Sequence, residues 1–220
     1  MNLPNRITLI RILLIPVVIF FYLSQPFLAC GKLIAAIVFV IACLTDFLDG
    51  YYARKLNMVT TIGKFMDTIA DKLLVISALV LVICDGTIPS PWGVIFATII
   101  IARELMVSAL RQLAASKNVI IAADMWGKVK ANFQYVALTL YMIFAYFIYI
   151  AVLPNWAMVT IEVLCWVSMI ATVFSTVMSG IHYMVKNKAV FVDDKKEKSA
   201  EKQVEGKEKN TETKDKQTEK

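Results

Sequence analysis

Long apolar runs recur along most of this 220-residue chain, and they constrain its fold more than any other feature. Hydrophobic residues make up 59% of the sequence, whereas about 45–50% is usual for a soluble domain. A helix that crosses a bilayer needs about 20 mostly apolar residues. Allowing for polar helix ends, we predict an all-α integral membrane bundle of six transmembrane helices, at about 7–27, 33–54, 64–84, 92–115, 128–151 and 156–185.

The basic residues divide unevenly between the two ends of these predicted helices. Lys32 falls at one end, and the other basic residues before the tail fall at the opposite end: Arg6, Arg11, Arg54, Lys55, Lys64, Lys72, Arg103, Arg111, Lys117, Lys128, Lys130, Lys186 and Lys188. Loops rich in Lys and Arg face the cytoplasm. We therefore expect both termini and the 55–63 and 116–127 loops to be cytoplasmic.

The last 28 residues differ in composition from the rest of the chain. Residues 193–220 hold nine lysines, nine acidic residues and almost no apolar side chains. Such a segment cannot bury a core. We expect a membrane-embedded domain over residues 1–192 and a disordered charged cytoplasmic tail over residues 193–220.

Four aspartates lie near the predicted cytoplasmic ends of the second and third helices. Asp46 and Asp49 are three residues apart, and Asp67 and Asp71 are four apart, so each pair shares a helix face. A short turn joins the two helices as an antiparallel pair, so four carboxylates can enter one cavity. Crowded carboxylates repel unless a cation lies between them, and hard oxygen ligands select Mg²⁺, Mn²⁺ or Ca²⁺ rather than zinc. Two ions would suit phosphoryl chemistry.

Small and basic residues are interleaved with these aspartates. Gly50 and Ala53 each lie four residues after an aspartate and leave room for a diphosphate to approach the backbone. Gly63 opens the third helix, where a role in the turn is as reasonable as a substrate contact. Arg54 can hold an anionic phosphate or can lie along the membrane interface.

A second basic set follows in the fourth and fifth helices. Arg103 and Arg111 are eight residues apart, about two helical turns, and so lie on one face. Lys128 and Lys130 begin the next helix. If these cations point at the aspartate cavity, they would bind an acceptor that carries its own phosphate; alternatively they belong only to the cytoplasmic charge pattern. Glu104 can pair with Arg103 or orient it.

The aspartate segment resembles the signature of the CDP-alcohol phosphatidyltransferases, D-x-x-D-G-x-x-A-R-x8-G-x-x-x-D-x-x-x-D, at every fixed position. The resemblance implies six transmembrane helices, usually in a homodimer, with a CDP-linked lipid donor and Mg²⁺ or Mn²⁺, as one or two ions. It implies that the metal ligands are Asp46, Asp49, Asp67 and Asp71, of which Asp71 is also the general base. It implies that the CDP-lipid pocket comprises Asp46, Asp49, Gly50, Ala53, Arg54 and Gly63.

Further segments resemble the branch of that family that makes phosphatidylglycerol phosphate. They are the opening Met1-Asn2-Leu3-Pro4-Asn5-Arg6-Ile7-Thr8-Leu9-Ile10-Arg11 with Pro16, Ala102-Arg103-Glu104 with Arg111, and Gly127-Lys128-Val129-Lys130. This implies transfer of a phosphatidyl group from CDP-diacylglycerol to sn-glycerol 3-phosphate, with release of CMP, at the cytoplasmic face of a bacterial cell membrane. Arg103, Arg111, Lys128 and Lys130 would bind the acceptor phosphate.

Two alternatives remain open. A sister enzyme of the family would use phosphatidylglycerol, serine or an inositol phosphate as acceptor. A divalent-cation transporter would also carry acids within the membrane, but here the acids gather at one face, and Asp85 and Glu162 stand alone in the sequence. No nucleic-acid partner is expected.

Overall fold

The computed structural model describes residues 3–56, 61–116, 125–150 and 153–186, although not every side chain within these ranges. Over these residues the chain forms six α-helices. They are α1 (Leu3–Leu23), α2 (Gly31–Leu56), α3 (Thr61–Cys84), α4 (Trp92–Ser116), α5 (Met125–Ile150) and α6 (Asn155–Lys186). The predicted tail over residues 193–220 lies outside the described residues.

The helices have the length and composition of membrane spans. The spans Trp92–Ala115, Val129–Ile150 and Asn155–Lys186 are long and apolar enough to cross a bilayer, and Thr8–Leu23 and Gly31–Thr45 are shorter apolar stretches. The predicted all-α membrane bundle is confirmed.

The helix boundaries agree with the sequence-based prediction to within a few residues. The largest difference is in α1, which begins and ends four residues earlier than expected. Beyond Leu23 the chain turns, with the amide of Phe27 donating to the carbonyl of Ser24 at 2.9 Å. Pro26 explains this end, because a proline disfavours helical conformation in the residue before it.

Small side chains allow the helices to approach closely. Helix α1 packs against α2 and α3, α5 packs against α2, α3 and α6, and α4 packs against α3 and α6. Ala35, Ala42, Ala78 and Ala145 are completely buried at these contacts, as is typical where helices associate in a membrane. Many large apolar side chains, such as Phe174 on α6, are exposed on the outside of the bundle and suit contact with lipid.

Asp85, which stands apart from the other acids in the sequence, has a basic partner in the structure. Nζ of Lys32, at the start of α2, lies 2.7 Å from Oδ2 of Asp85, just beyond α3. The hydroxyls of Tyr22 and Thr87 donate to the same oxygen at 3.2 and 2.9 Å. The pair borders a cavity of about 290 Å³, at the end of the bundle opposite Asp67 and Asp71. This ion pair and its hydrogen bonds join α1, α2 and the turn after α3 at that end of the bundle. No local sequence pattern indicates these contacts.

Asp85→Ala should destabilise the protein, because the side chain of Lys32 is only 9% exposed and would lose its charge partner. Asp85 itself is partly exposed, so we expect a loss of about 2 kcal/mol in the free energy of unfolding rather than the full penalty of a deeply buried pair. Thermal unfolding in detergent micelles measures it. Replacing both partners, with Lys32→Met and Asp85→Leu, should recover most of the loss; a single variant as stable as the parent would contradict the proposed role of the pair.

Candidate active site

An ion pair between α1 and α3 fixes Asp67, one of the two signature aspartates whose side chains the structure describes. Nη1 of Arg11 lies 3.0 Å from Oδ1 of Asp67. The Arg11 side chain is completely buried, whereas that of Asp67 is 47% exposed. A buried guanidinium is strongly unfavourable without a charge partner, so this contact helps to determine how α1 sits against α3. The sequence places Arg11 in the cytoplasmic charge pattern and in the opening segment, and a basic residue within an apolar run is also a signal of a buried polar contact.

Asp71 is held from a different helix. The hydroxyl of Tyr135, on α5, donates to Oδ1 of Asp71 at 2.5 Å. Lys72 follows Asp71 in sequence, but its ammonium donates to the hydroxyl of Ser108 on α4. Ser108 in turn donates to the carbonyl of Glu104 at 2.7 Å. Of these neighbours, Tyr135 therefore makes the direct hydrogen bond to Asp71, and the sequence analysis missed it.

A small cavity lies between α3, α4 and α5, beside Asp71. It measures about 20 Å³ and is lined among others by Asp71, Lys72, Glu104 and Gln134. This volume is close to that of a single water molecule. Gln134 is 3% exposed, and its amide nitrogen has no hydrogen-bond partner among the described residues. The polar side chains of the three helices thus converge on one point.

The predicted basic set is built around Glu104. Lys130 is almost completely buried and forms an ion pair with Glu104. Nη1 of Arg103 lies 3.9 Å from the other carboxylate oxygen of Glu104. The sequence left open whether Glu104 pairs with Arg103, and the structure gives it Lys130 as the closer partner. One carboxylate therefore lies between two cations.

Both arginines of α4 contact the same face of α6. Nη2 of Arg103 donates to the hydroxyl of Ser179 at 2.5 Å, and the guanidinium of Arg111 lies 5.7 Å from the centre of the Tyr183 ring. Ser179 and Tyr183 are four residues apart, one turn of helix. Gly180 between them allows the approach, because a Cβ there would lie 3.3 Å from Cγ of Arg103. The eight-residue spacing indicated this common face.

The other half of the predicted site is described only in its backbone. Helix α2 is continuous to Leu56 and so carries the whole first half of the signature, but six predicted site residues have side chains outside the described part of the chain: Asp46, Asp49, Gly50, Ala53, Arg54 and Lys128. Gly63 lies in the first turn of α3 and is partly buried. The four-carboxylate cavity stays a prediction.

The donor set that the structure does describe suits a hard divalent cation. Asp67 and Asp71 offer carboxylate oxygens one turn apart on α3, which Mg²⁺ and Mn²⁺ prefer. Within the described residues no group of three or more acidic, His or Cys side chains could hold a metal. A complete site on these two residues therefore requires ligands from elsewhere, and Asp46 and Asp49 of α2 are the predicted ones.

Fold and site together define a membrane bundle with carboxylates and paired cations gathered at one end. Residues 1–162 match the family model for CDP-alcohol phosphatidyltransferase. The chain belongs to the CDP-alcohol phosphatidyltransferase family, and the resemblance read from the aspartate segment is confirmed.

Three bacterial relatives share the name CDP-diacylglycerol–glycerol-3-phosphate 3-phosphatidyltransferase. The protein from Bacillus subtilis (strain 168) is 40% identical over 197 residues, which cover 84% of this chain and 95% of the relative. The protein from Rickettsia bellii (strain RML369-C) is 35% identical over 194 residues, 86% of this chain and 97% of its own. The protein from Salmonella choleraesuis (strain SC-B67) is 44% identical over 140 residues, 62% of this chain and 74% of its own.

Proposed function

We propose that this protein transfers a phosphatidyl group from CDP-diacylglycerol to sn-glycerol 3-phosphate, giving phosphatidylglycerol phosphate and CMP. The observation that carries the proposal is the complete family signature in Asp46–Asp71, within a chain whose relatives of that name align over most of its length. The substrates are a membrane lipid and a water-soluble phosphate ester. A site at one end of an apolar bundle can receive both.

The donor would bind where α2 ends and α3 begins. Asp46, Asp49, Gly50, Ala53, Arg54 and Gly63 would line the pocket for the cytidine diphosphate. The continuity of α2 through Leu56 supports this arrangement, because Asp46 and Asp49 then keep the helical spacing that places them on one face. Because the outer surface of the bundle is apolar, the acyl chains of the donor would stay in the bilayer while its headgroup is bound.

The carboxylates would hold the metal. Asp46, Asp49, Asp67 and Asp71 would bind one or two Mg²⁺ or Mn²⁺ ions, which when bound would offset the charge of the donor diphosphate. Arg11 holds one oxygen of Asp67 and keeps this carboxylate in place in the protein alone. That contact leaves the second oxygen of Asp67, which is on the partly exposed side chain, available as a ligand.

The transfer step uses Asp71 as general base. Asp71 accepts the proton of the acceptor hydroxyl, and the hydroxyl oxygen forms a bond to the phosphorus that carries the diacylglycerol. The bond from this phosphorus to the oxygen of CMP breaks, and CMP leaves with that electron pair. Most of the rate enhancement in such a transfer comes from positioning and electrostatic stabilisation.

The acceptor phosphate would bind to the cations of α4 and α5, namely Arg103, Arg111, Lys128 and Lys130. The charge balance of the described residues supports this role. Glu104 offsets one positive charge, whereas Arg103, Arg111 and Lys130 contribute three. Because Glu104 also lines the cavity beside Asp71, the excess positive charge lies next to the proposed base.

The cytoplasm would supply the acceptor. The strong bias of Lys and Arg toward the Asp67–Asp71 end of the bundle supports a cytoplasmic active site in a bacterial cell membrane, with both termini on the same side. Since relatives in the family usually pair, we propose a homodimer as the assembled form.

An acceptor panel tests the proposed activity directly. The purified protein, CDP-diacylglycerol and Mg²⁺ or Mn²⁺ are mixed with glycerol 3-phosphate, glycerol, serine, inositol phosphate or phosphatidylglycerol, and CMP is measured. We expect CMP only with glycerol 3-phosphate, and none after chelation of the metal. Release with another acceptor but not with glycerol 3-phosphate would indicate a sister activity; metal uptake into vesicles without lipid substrate would instead favour a transporter.

Asp71→Asn should abolish turnover, because the amide cannot accept the acceptor proton. Removal of a general base costs about 10²–10⁴-fold in rate. The rate of CMP release per folded protein measures the effect. Glu162→Gln makes the same chemical change on an exposed residue of α6 and should leave the rate unchanged. Full activity of the Asp71 variant would remove this residue as the base.

Arg103→Ala and Arg111→Ala should each raise the KM for glycerol 3-phosphate, with a smaller effect on the KM for CDP-diacylglycerol. A hydrogen bond to a charged group contributes about 1.5–3 kcal/mol, or roughly ten- to a hundredfold in affinity. Initial rates at varied acceptor concentration give the values. Lys186→Ala removes an exposed positive charge at the end of α6 and serves as control. An unchanged acceptor KM in both arginine variants would assign them to membrane topology alone.

A further inference from the structure

Tyr135 makes the shortest described hydrogen bond to the proposed general base. Its phenolic oxygen lies 2.5 Å from Oδ1 of Asp71, a distance typical of a hydroxyl that donates to an ionised carboxylate. The two residues are on α5 and α3, which are not consecutive in the chain. The contact therefore depends on the packing of the bundle and not on local sequence.

The Tyr135 ring is itself held in place. It meets the ring of Phe39 edge to face, with centres 6.5 Å apart and planes at 75°. Phe39 lies on α2 and is completely buried. Packed aromatic rings in this geometry stabilise each other, so α2 fixes the direction from which the phenol reaches Asp71. Helix α2 is also the helix that carries Asp46 and Asp49.

A base of this kind needs a defined orientation. The terminal torsion of an aspartate is broad, so the carboxylate plane can rotate unless a partner holds it. Proton transfer requires the accepting oxygen to lie within hydrogen-bond reach of the acceptor hydroxyl. A donor on one carboxylate oxygen fixes the plane and leaves the second oxygen with a constant direction.

We propose that Tyr135 is a positioning residue of this transferase: its hydroxyl holds Oδ1 of Asp71, so that Oδ2 is the oxygen that takes the proton of the acceptor. The proposal rests on the proposed function, because it assumes that Asp71 is the base. Tyr135 itself neither accepts nor donates a proton in the transfer. It acts through Asp71 and lowers the chance of unproductive carboxylate orientations.

Tyr135→Phe tests the proposal because it removes the hydroxyl and keeps the ring that contacts Phe39. We expect kcat to fall on the order of tenfold or more, as for loss of a hydrogen bond to a charged group. The KM values for CDP-diacylglycerol and glycerol 3-phosphate should change less than about twofold. Thermal unfolding of the variant gives the folded fraction, and kcat is calculated per folded protein.

Tyr141 offers a matched control on the same helix. Its side chain is 1% exposed, and its hydroxyl has no hydrogen-bond partner among the described residues. Tyr141→Phe deletes the same group from a buried site and should leave kcat unchanged. An equal fall in kcat in both variants would mean that the loss reflects general packing of α5, and it would overturn the proposal.

The remaining outcomes separate this inference from the proposed function. If Asp71→Asn is inactive and Tyr135→Phe keeps the full kcat, the base assignment stands and the role of Tyr135 falls. If Asp71→Asn keeps turnover, the base assignment fails regardless of Tyr135. If Tyr135→Phe raises a substrate KM in parallel with its loss of kcat, Tyr135 contacts that substrate directly and is not a positioning residue for Asp71.

Discussion

Among the side chains that the structure describes, the fold depends on pairing the buried charges that the apolar helices carry into the membrane. Arg11 with Asp67 joins α1 to α3, Lys130 with Glu104 joins α5 to α4, and Lys32 with Asp85 joins α2 to the end of α3. Apolar packing alone discriminates poorly between helix neighbours in lipid, because lipid tails are as apolar as the side chains. An unpaired buried charge is far more costly. These pairs therefore restrict which helices can be adjacent.

The same pairing shapes the active-site end. Helices α2 and α3 carry the four aspartates of the signature, and α4 and α5 carry the four cations proposed to bind the acceptor phosphate. Each group also contacts a side chain of the opposite sign: Arg11 of α1 pairs with Asp67, and Glu104 lies between Arg103 and Lys130. In the proposed reaction both substrates are phosphate esters, so one half would require metal ions to receive the donor while the other receives the acceptor directly. Asp71, at the boundary between the halves, contacts α5 through Tyr135.

Sequence reasoning recovered the helices because the feature that defines them is local. Twenty apolar residues in a row predict a span whatever the rest of the chain does, and the helix bounds differ from expectation by at most a few residues. The error in α1 came from extending the apolar run past Pro26. The family and its aspartate signature were also legible, because fixed spacing on a helix is a local property. The basic partner of Asp85 could not be predicted in the same way, since Lys32 lies 53 residues away.

The sequence by itself determined the membrane bundle, the family and the residues that carry its signature, since each of these follows from composition and short-range spacing. Only the tertiary structure decided which side chains meet. Lys72 donates a hydrogen bond to Ser108 on α4, and Tyr135 donates one to Asp71. Glu104 has Lys130 as its closer ion-pair partner. Partners on different helices are separated by tens of residues, and the spacing within one helix carries no information about the rotation of another. That rotation depends on pairing the buried charges and packing the small side chains at the same time across the whole bundle.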